Sequence, residues 1–81
     1  MTITLRRHLG DGRQVVSTFQ LPPQNRSQEE VALSLLIARD ALLSNSLLEA
    51  VKILDRIQGS QLVEILNLIE MLRQPDIEVV V

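Results

Sequence analysis

SQEEVALSLLIARDALLS, residues 27–44, is the stretch of the sequence that decides the fold. Ser27 stands three positions before Glu30, which is the spacing of a capping box and predicts that a helix begins here. Apolar residues then occur at nearly every angle around the helix, interrupted near its middle by Arg39 and Asp40. Those two charges, and a length below the roughly 20 apolar residues of a membrane span, argue against a transmembrane segment. A helix that is apolar all round is usually interior, so we expect this first helix to be buried by the rest of the chain, by a second copy or by another protein.

The first helix offers two apolar surfaces when its residues are placed at about 100° intervals. One is a stripe made of Val31, Leu35, Ala38 and Leu42. The other lies beside and opposite that stripe; we call it the helix-one flank, and it consists of Leu33, Leu36, Ile37 and Leu43. A hairpin and two short helices would have to cover both surfaces in a single chain. We therefore expect the helix-one flank to bind a partner.

Residues 2–21 predict a β-hairpin, because apolar and polar residues alternate on both sides of a Gly-Asp-Gly sequence at 10–12. A three-residue loop over 10–12 opposes Ile3 to Phe19 and gathers the large apolar side chains on one face. A two-residue loop would oppose apolar side chains to polar ones. We therefore expect the three-residue loop, with Gly12 in the left-handed conformation.

Two more helices are predicted after the first. The second spans 47–58, with Ser46 as its cap and Gly59 as the left-handed residue that ends it. The third begins at Gln61 after Ser60 as its cap, and it ends at residue 73 or 74 before a proline.

The last residues, 76–81, predict a short strand, since they are rich in β-branched side chains. Left unpaired, such a strand would be prone to aggregation, so we expect it to join the hairpin, either in its own chain or across a dimer. The predicted fold class is thus α+β, in a single domain covering 1–81. Its parts are the β-hairpin (2–21), a linker (22–26), a three-helix segment with a buried first helix (27–74) and the C-terminal strand (76–81).

Composition excludes several classes of site. The chain has no cysteine, which rules out disulfides, thiolate catalysis and cysteine-bound zinc. His8 is the only histidine, and no two carboxylates have the spacing of a catalytic pair. We therefore predict a protein that is not an enzyme, with no catalytic residue, no cofactor and no metal site. No signal peptide precedes the charged Arg6-Arg7-His8 sequence, so a soluble cytoplasmic protein is expected.

Charge is divided unevenly along the chain. Residues 1–26 hold four arginines and one acid, a net charge of +3, while residues 27–81 hold four cations and nine acids, a net charge of −5. On the hairpin, Arg6, His8 and Arg13 could contact an anion or a nucleic acid, because a two-stranded ribbon fits a major groove. The net charge of −2 and the single lysine weaken this alternative.

The function predicted from these features is that of a small non-catalytic interaction protein, an adaptor or regulatory subunit. It would act as a homo-oligomer, in the simplest case a homodimer, and would bind another protein through the helix-one flank. One alternative is a nucleic-acid-binding regulator that uses the basic hairpin face. A second is an accessory subunit that completes an enzyme with another chain.

Overall fold

A computed structural model describes residues 1–80 as one antiparallel sheet packed against three helices. The elements are β1 (Thr2–His8), β2 (Gln14–Gln20), α1 (Gln28–Leu43), α2 (Leu47–Gln58), α3 (Leu62–Leu72) and β3 (Ile77–Val80). This confirms the predicted α+β class and the order of its parts. The strand predicted over 76–81 is seen as β3, and its last residue, Val81, lies outside the described residues. Within residues 1–80, no helix has the length and apolar character needed to cross a membrane.

The hairpin has the predicted register. Ile3 pairs with Phe19, and the pairing continues to His8 opposite Gln14. Gly12 has a φ of 86°, the left-handed conformation that glycine adopts without strain. The large apolar side chains of both strands therefore share one face, as the three-residue loop requires.

The C-terminal strand joins the sheet within its own chain. β3 pairs antiparallel with β1, placing Val79 opposite Leu5 and Glu78 opposite Arg6. The strand order is therefore β2-β1-β3, with β1 in the centre. Of the two arrangements that the sequence left open, the pairing in cis is the one adopted, and β2 forms one edge of the sheet.

The start of α1 and the end of α2 follow the sequence signals. The hydroxyl of Ser27 accepts a hydrogen bond from the backbone amide of Glu30 at 3.2 Å, so the predicted cap of α1 is confirmed. Gly59 ends α2 with a φ of 65°, and its amide donates to the carbonyl oxygen of Asp55 at 2.8 Å. These local patterns place both helix ends where they were expected.

The other two predicted caps are wrong. Ser46 precedes α2 but makes no side-chain cap bond, and its ψ of 63° differs from the extended backbone usual at a cap. Ser60 has a φ of 66°, and its hydroxyl donates instead to the carboxylate of Asp55 at 2.7 Å. Gln61 takes the position before α3, also without a side-chain cap. Both serines lie in tight connections between helices, where their backbone angles differ from the extended conformation of a cap residue.

The core lies between the sheet and the helices. Ile3 and Leu5 of β1 are fully buried, and they belong to one apolar cluster with residues of all three helices. From α1, the cluster takes the predicted stripe: Val31, Leu35, Ala38 and Leu42. Each fully buried side chain of leucine size contributes about 1.5–3 kcal/mol relative to exposure. The stripe therefore anchors α1 to the sheet and fixes which side of the helix turns outward.

Candidate interaction surfaces

Large apolar side chains remain exposed on all three helices. Nine of them lie 41–70% exposed in the single chain. We call this set the apolar helical surface, and it consists of Leu33, Leu36, Ile37, Leu43, Leu47, Leu48, Leu62, Val63 and Leu66. Isolated exposed apolar residues are normal in proteins, whereas contiguous exposed apolar patches are typical of interaction sites.

The predicted helix-one flank is the part of this surface that belongs to α1. Leu33, Leu36, Ile37 and Leu43 are 58, 41, 50 and 59% exposed. The rest of the chain thus buries the stripe but leaves the flank exposed, and whether a second copy or another protein covers the flank stays a prediction. The physical reason is chain length: one sheet layer and two short helices cover a single side of α1. The flank is therefore exposed in the single chain, and its binding to a partner stays a prediction.

The α2 and α3 members of the surface were not predicted. Leu47-Leu48 and Leu62-Val63 both occupy the first turn of their helices. Adjacent residues on a helix point about 100° apart, so both members of an apolar pair seldom reach the same narrow core. These pairs at helix starts were the signal in the sequence that could have identified every one of these members except Leu66.

Two open grooves are lined in part by members of this surface: Ile37 lines one, and Leu47 and Leu66 line the other. The groove between α1 and α2 has a volume of about 250 Å³, with Ile37 and Ile53 as its apolar residues and Arg26, Glu49 and Arg56 as its charged ones. The groove between α2 and α3 is larger, about 440 Å³. Its lining residues are Leu47, Val51, Leu66, Ile69, Glu70 and Arg73. An apolar floor with charges of both signs suits the side chains of a protein partner.

The basic residues of the outer sheet face are neutralised within the chain. Arg6 forms an ion pair with Glu78, whose second oxygen lies 3.3 Å from Nε2 of His8. The hydrogen bond from Arg6 lowers the pKa of Glu78 below its ordinary value; desolvation opposes this shift, and the charges of Arg6 and His8 add to it. Because the side chains are 34–50% exposed, this cluster contributes little to stability.

The third predicted basic residue also has a carboxylate partner. Nε of Arg13 lies 2.5 Å from the carboxylate of Asp11, and the backbone amide of Arg13 donates to the other oxygen at 3.2 Å. The structure therefore brings Arg6 and His8 together around Glu78 and holds Arg13 separately at the turn. A phosphate would have to compete with a carboxylate at each of the three positions. The acid at position 78 was missed because it lies far along the chain from the hairpin, and no local pattern gives its register.

His8, the residue type most often used in acid–base catalysis, lies outside both of the grooves described above. His8 and Glu78 meet on an open sheet face, and neither groove is lined by a histidine. Among residues 1–80, no three side chains of the metal-binding types come together as a metal site.

One buried polar side chain was not anticipated. Gln58, at the end of α2, is fully buried, and neither its amide nitrogen nor its amide oxygen has a hydrogen-bond partner among the described residues. Nearby, the side chain of Gln24 donates to the carbonyl oxygens of Pro22 and Ile57 at 2.8 and 2.9 Å, which ties the linker to the end of α2. The helical spacing from Leu54 already placed Gln58 on the buried face.

Comparison of the chain with protein families, with curated proteins and with solved structures finds no match. The functional argument therefore depends on the surfaces described above.

Proposed function

We propose that this chain is a small non-catalytic interaction protein of the cytoplasm, an adaptor or regulatory subunit that acts as a homo-oligomer. The observation that carries the proposal is the apolar helical surface. Its nine side chains span all three helices and remain exposed in the single chain. A second copy and another protein are the partners that we propose for the surfaces of this chain.

The size of the apolar helical surface suits a stable complex. Fully burying one such side chain is worth about 1.5–3 kcal/mol, and about half of each is already buried on average. Covering all nine would therefore supply on the order of 10 kcal/mol. Association costs an estimated 4–15 kcal/mol in lost translational and rotational freedom. Only a partner that covers most of the nine side chains at once would therefore bind stably. The two grooves favour such broad contact, since they give a partner's side chains places to insert.

The homo-oligomer can be tested by light scattering on a sizing column, from low to high micromolar chain. We expect the mass of a dimer. A monomer with intact helicity at every concentration would contradict this part of the proposal.

The role of the helix-one flank can be tested by purifying the chain with its natural partners. The double variant Leu36→Glu with Ile37→Glu places charge on the flank, and Ser44→Glu adds charge at an exposed position just after α1. We expect a stoichiometric protein partner that is retained by the original chain and by Ser44→Glu but lost from the double variant. If all three retain the same partner equally, the flank is not the contact.

The two alternatives make different predictions. The nucleic-acid alternative has less support, since Arg6, His8 and Arg13 each contact a carboxylate. Salt-sensitive DNA binding that is lost in Arg6→Ala with Arg13→Ala would favour it. Identification of the stoichiometric partner as an enzyme would favour the accessory-subunit alternative.

A further inference from the structure

The outer strand β2 is an unprotected sheet edge. Its seven residues, Gln14–Gln20, carry no charge and include neither proline nor glycine. Proteins usually protect a long edge strand with charges, prolines, bulges or a covering element, because the free backbone groups of the edge can pair with another strand. Here β2 is mostly exposed, and Val15 and Val16 are 46 and 57% exposed.

The hydrogen bonds at both ends of the hairpin show which backbone groups of β2 point outward, away from β1. The amide of Leu9 donates to the carbonyl oxygen of Arg13, and the amide of Leu21 donates to that of Met1. Hydrogen-bonded positions alternate along an antiparallel pair, so the odd-numbered residues of β2 bond to β1. The amides and carbonyls of four residues therefore face away from the sheet: Gln14, Val16, Thr18 and Gln20.

We propose that β2 pairs antiparallel with β2 of a second copy, about a two-fold axis at Ser17. This inference rests on the homo-oligomer of the proposed function and gives it an interface. In this register Gln14 lies opposite Gln20 of the second copy, and Val16 lies opposite its Thr18. All four outward-facing residues of each copy are then in hydrogen-bonded pairs. The result is a continuous six-stranded sheet.

The sequence of β2 is complementary to itself in this register. No charged residue falls within the paired segment, so no like charges oppose each other. On the side of the sheet that faces the helices, Val15 of each copy comes opposite Phe19 of the other. An aromatic side chain opposite a β-branched one is a favourable cross-strand pair. The only aromatic residue of the chain, half-buried in the single copy, is thereby covered.

The ends of the segment limit the pairing. In the same register, Arg13 falls opposite Leu21 and the following Pro22 has no amide to donate. The other sheet edge, β3, has only four described residues, and one of them is Glu78, which is held by Arg6. Within residues 1–80, each copy therefore offers one long free edge, and pairing through that edge closes at two chains.

The register can be tested by exchanging charges. In Val16→Glu with Thr18→Glu, like charges face each other twice across the axis, and the same holds for Val16→Lys with Thr18→Lys. We expect each double variant alone to dimerise about tenfold or more weakly than the original chain, and an equimolar mixture of the two to restore the dimer. Gln61→Glu with Asn67→Glu, at exposed positions outside β2, is the charge-matched control and should dimerise normally. Double variants that dimerise as well as this control would overturn the inference.

Hydrogen exchange of the original chain provides the second measurement. The amides of Gln14, Val16, Thr18 and Gln20 face solvent in the single chain, so we expect their protection to rise with protein concentration in step with the dimer mass. A dimer whose four amides continue to exchange rapidly would overturn the edge interface and leave the homo-oligomer intact. A chain that remains monomeric throughout would contradict both.

Discussion

Replacing Gln58 with methionine tests the packing at the end of α2. The side chain of Gln58 is fully buried, and neither of its two polar atoms has a partner within the described residues. Burying an amide without hydrogen bonds costs about 1–3 kcal/mol in proteins. Methionine has a similar length and no branch, so it can occupy the same space without an unpaired polar group. We therefore expect Gln58→Met to raise the free energy of unfolding by about 1–3 kcal/mol.

The assay is urea unfolding followed by helical circular dichroism, at one fixed chain concentration because self-association would also stabilise the fold. For a domain of this size, each kcal/mol corresponds to a rise of roughly 4–8 °C in the melting temperature. Gln28→Met, at an exposed position in the first turn of α1, is the control and should change stability by less than about 0.5 kcal/mol. A clear loss of stability in Gln58→Met would refute the reasoning, since it would mean that the amide makes hydrogen bonds in solution.

Three further predictions concern local structure. Ser27→Ala removes the cap of α1 and should cost about 0.5–2 kcal/mol in urea unfolding, whereas Ser46→Ala, where no cap bond exists, should cost much less. Gly12→Ala forces a side chain into a φ of 86° and should cost about 1 kcal/mol by the same assay, whereas Gly10→Ala has no such conflict. The pKa of Glu78 is lowered in the folded chain, so its carboxylate stabilises the fold at pH values above the ordinary pKa of 4.5. This stabilisation is lost as the pH falls through the lowered pKa of the folded chain. The melting temperature of Glu78→Gln should therefore fall slightly less than that of the original chain between neutral and acid pH. A larger fall than in the original chain would contradict the contact with Arg6.

The hairpin and the inner side of α1 were readable from the sequence because both depend on a local period. Alternation by two fixed the pairing of Ile3 with Phe19 and selected the loop that needs Gly12. The period of 3.6 identified the stripe that anchors α1. Where local patterns competed with tight connections, as at Ser46 and Ser60, the predicted caps were not formed.

Features that join distant parts of the chain could not be read in this way. The contact of Arg6 with Glu78 depends on the register between β1 and β3, which are separated along the chain by β2 and three helices. The flank of α1 is exposed because few helices and strands are available to cover it. A local sequence pattern does not indicate how many elements pack against a helix. The edge position of β2 could not be predicted from local patterns either, since β2 is an outer strand only because β3 pairs with the other side of β1.

The separation of the two surfaces connects the proposed dimer with the proposed adaptor role. The edge lies on β2, whereas the apolar helical surface lies on α1, α2 and α3. Residues opposite each other in an antiparallel pair point to the same side, so the helices of both copies would lie on one side of the six-stranded sheet. The proposed pairing at the edge would therefore use none of the residues of the apolar helical surface and would hold its two copies in a fixed relation. A partner with two matching segments would bind such a dimer more tightly than a single copy, because its second contact forms at a high effective concentration.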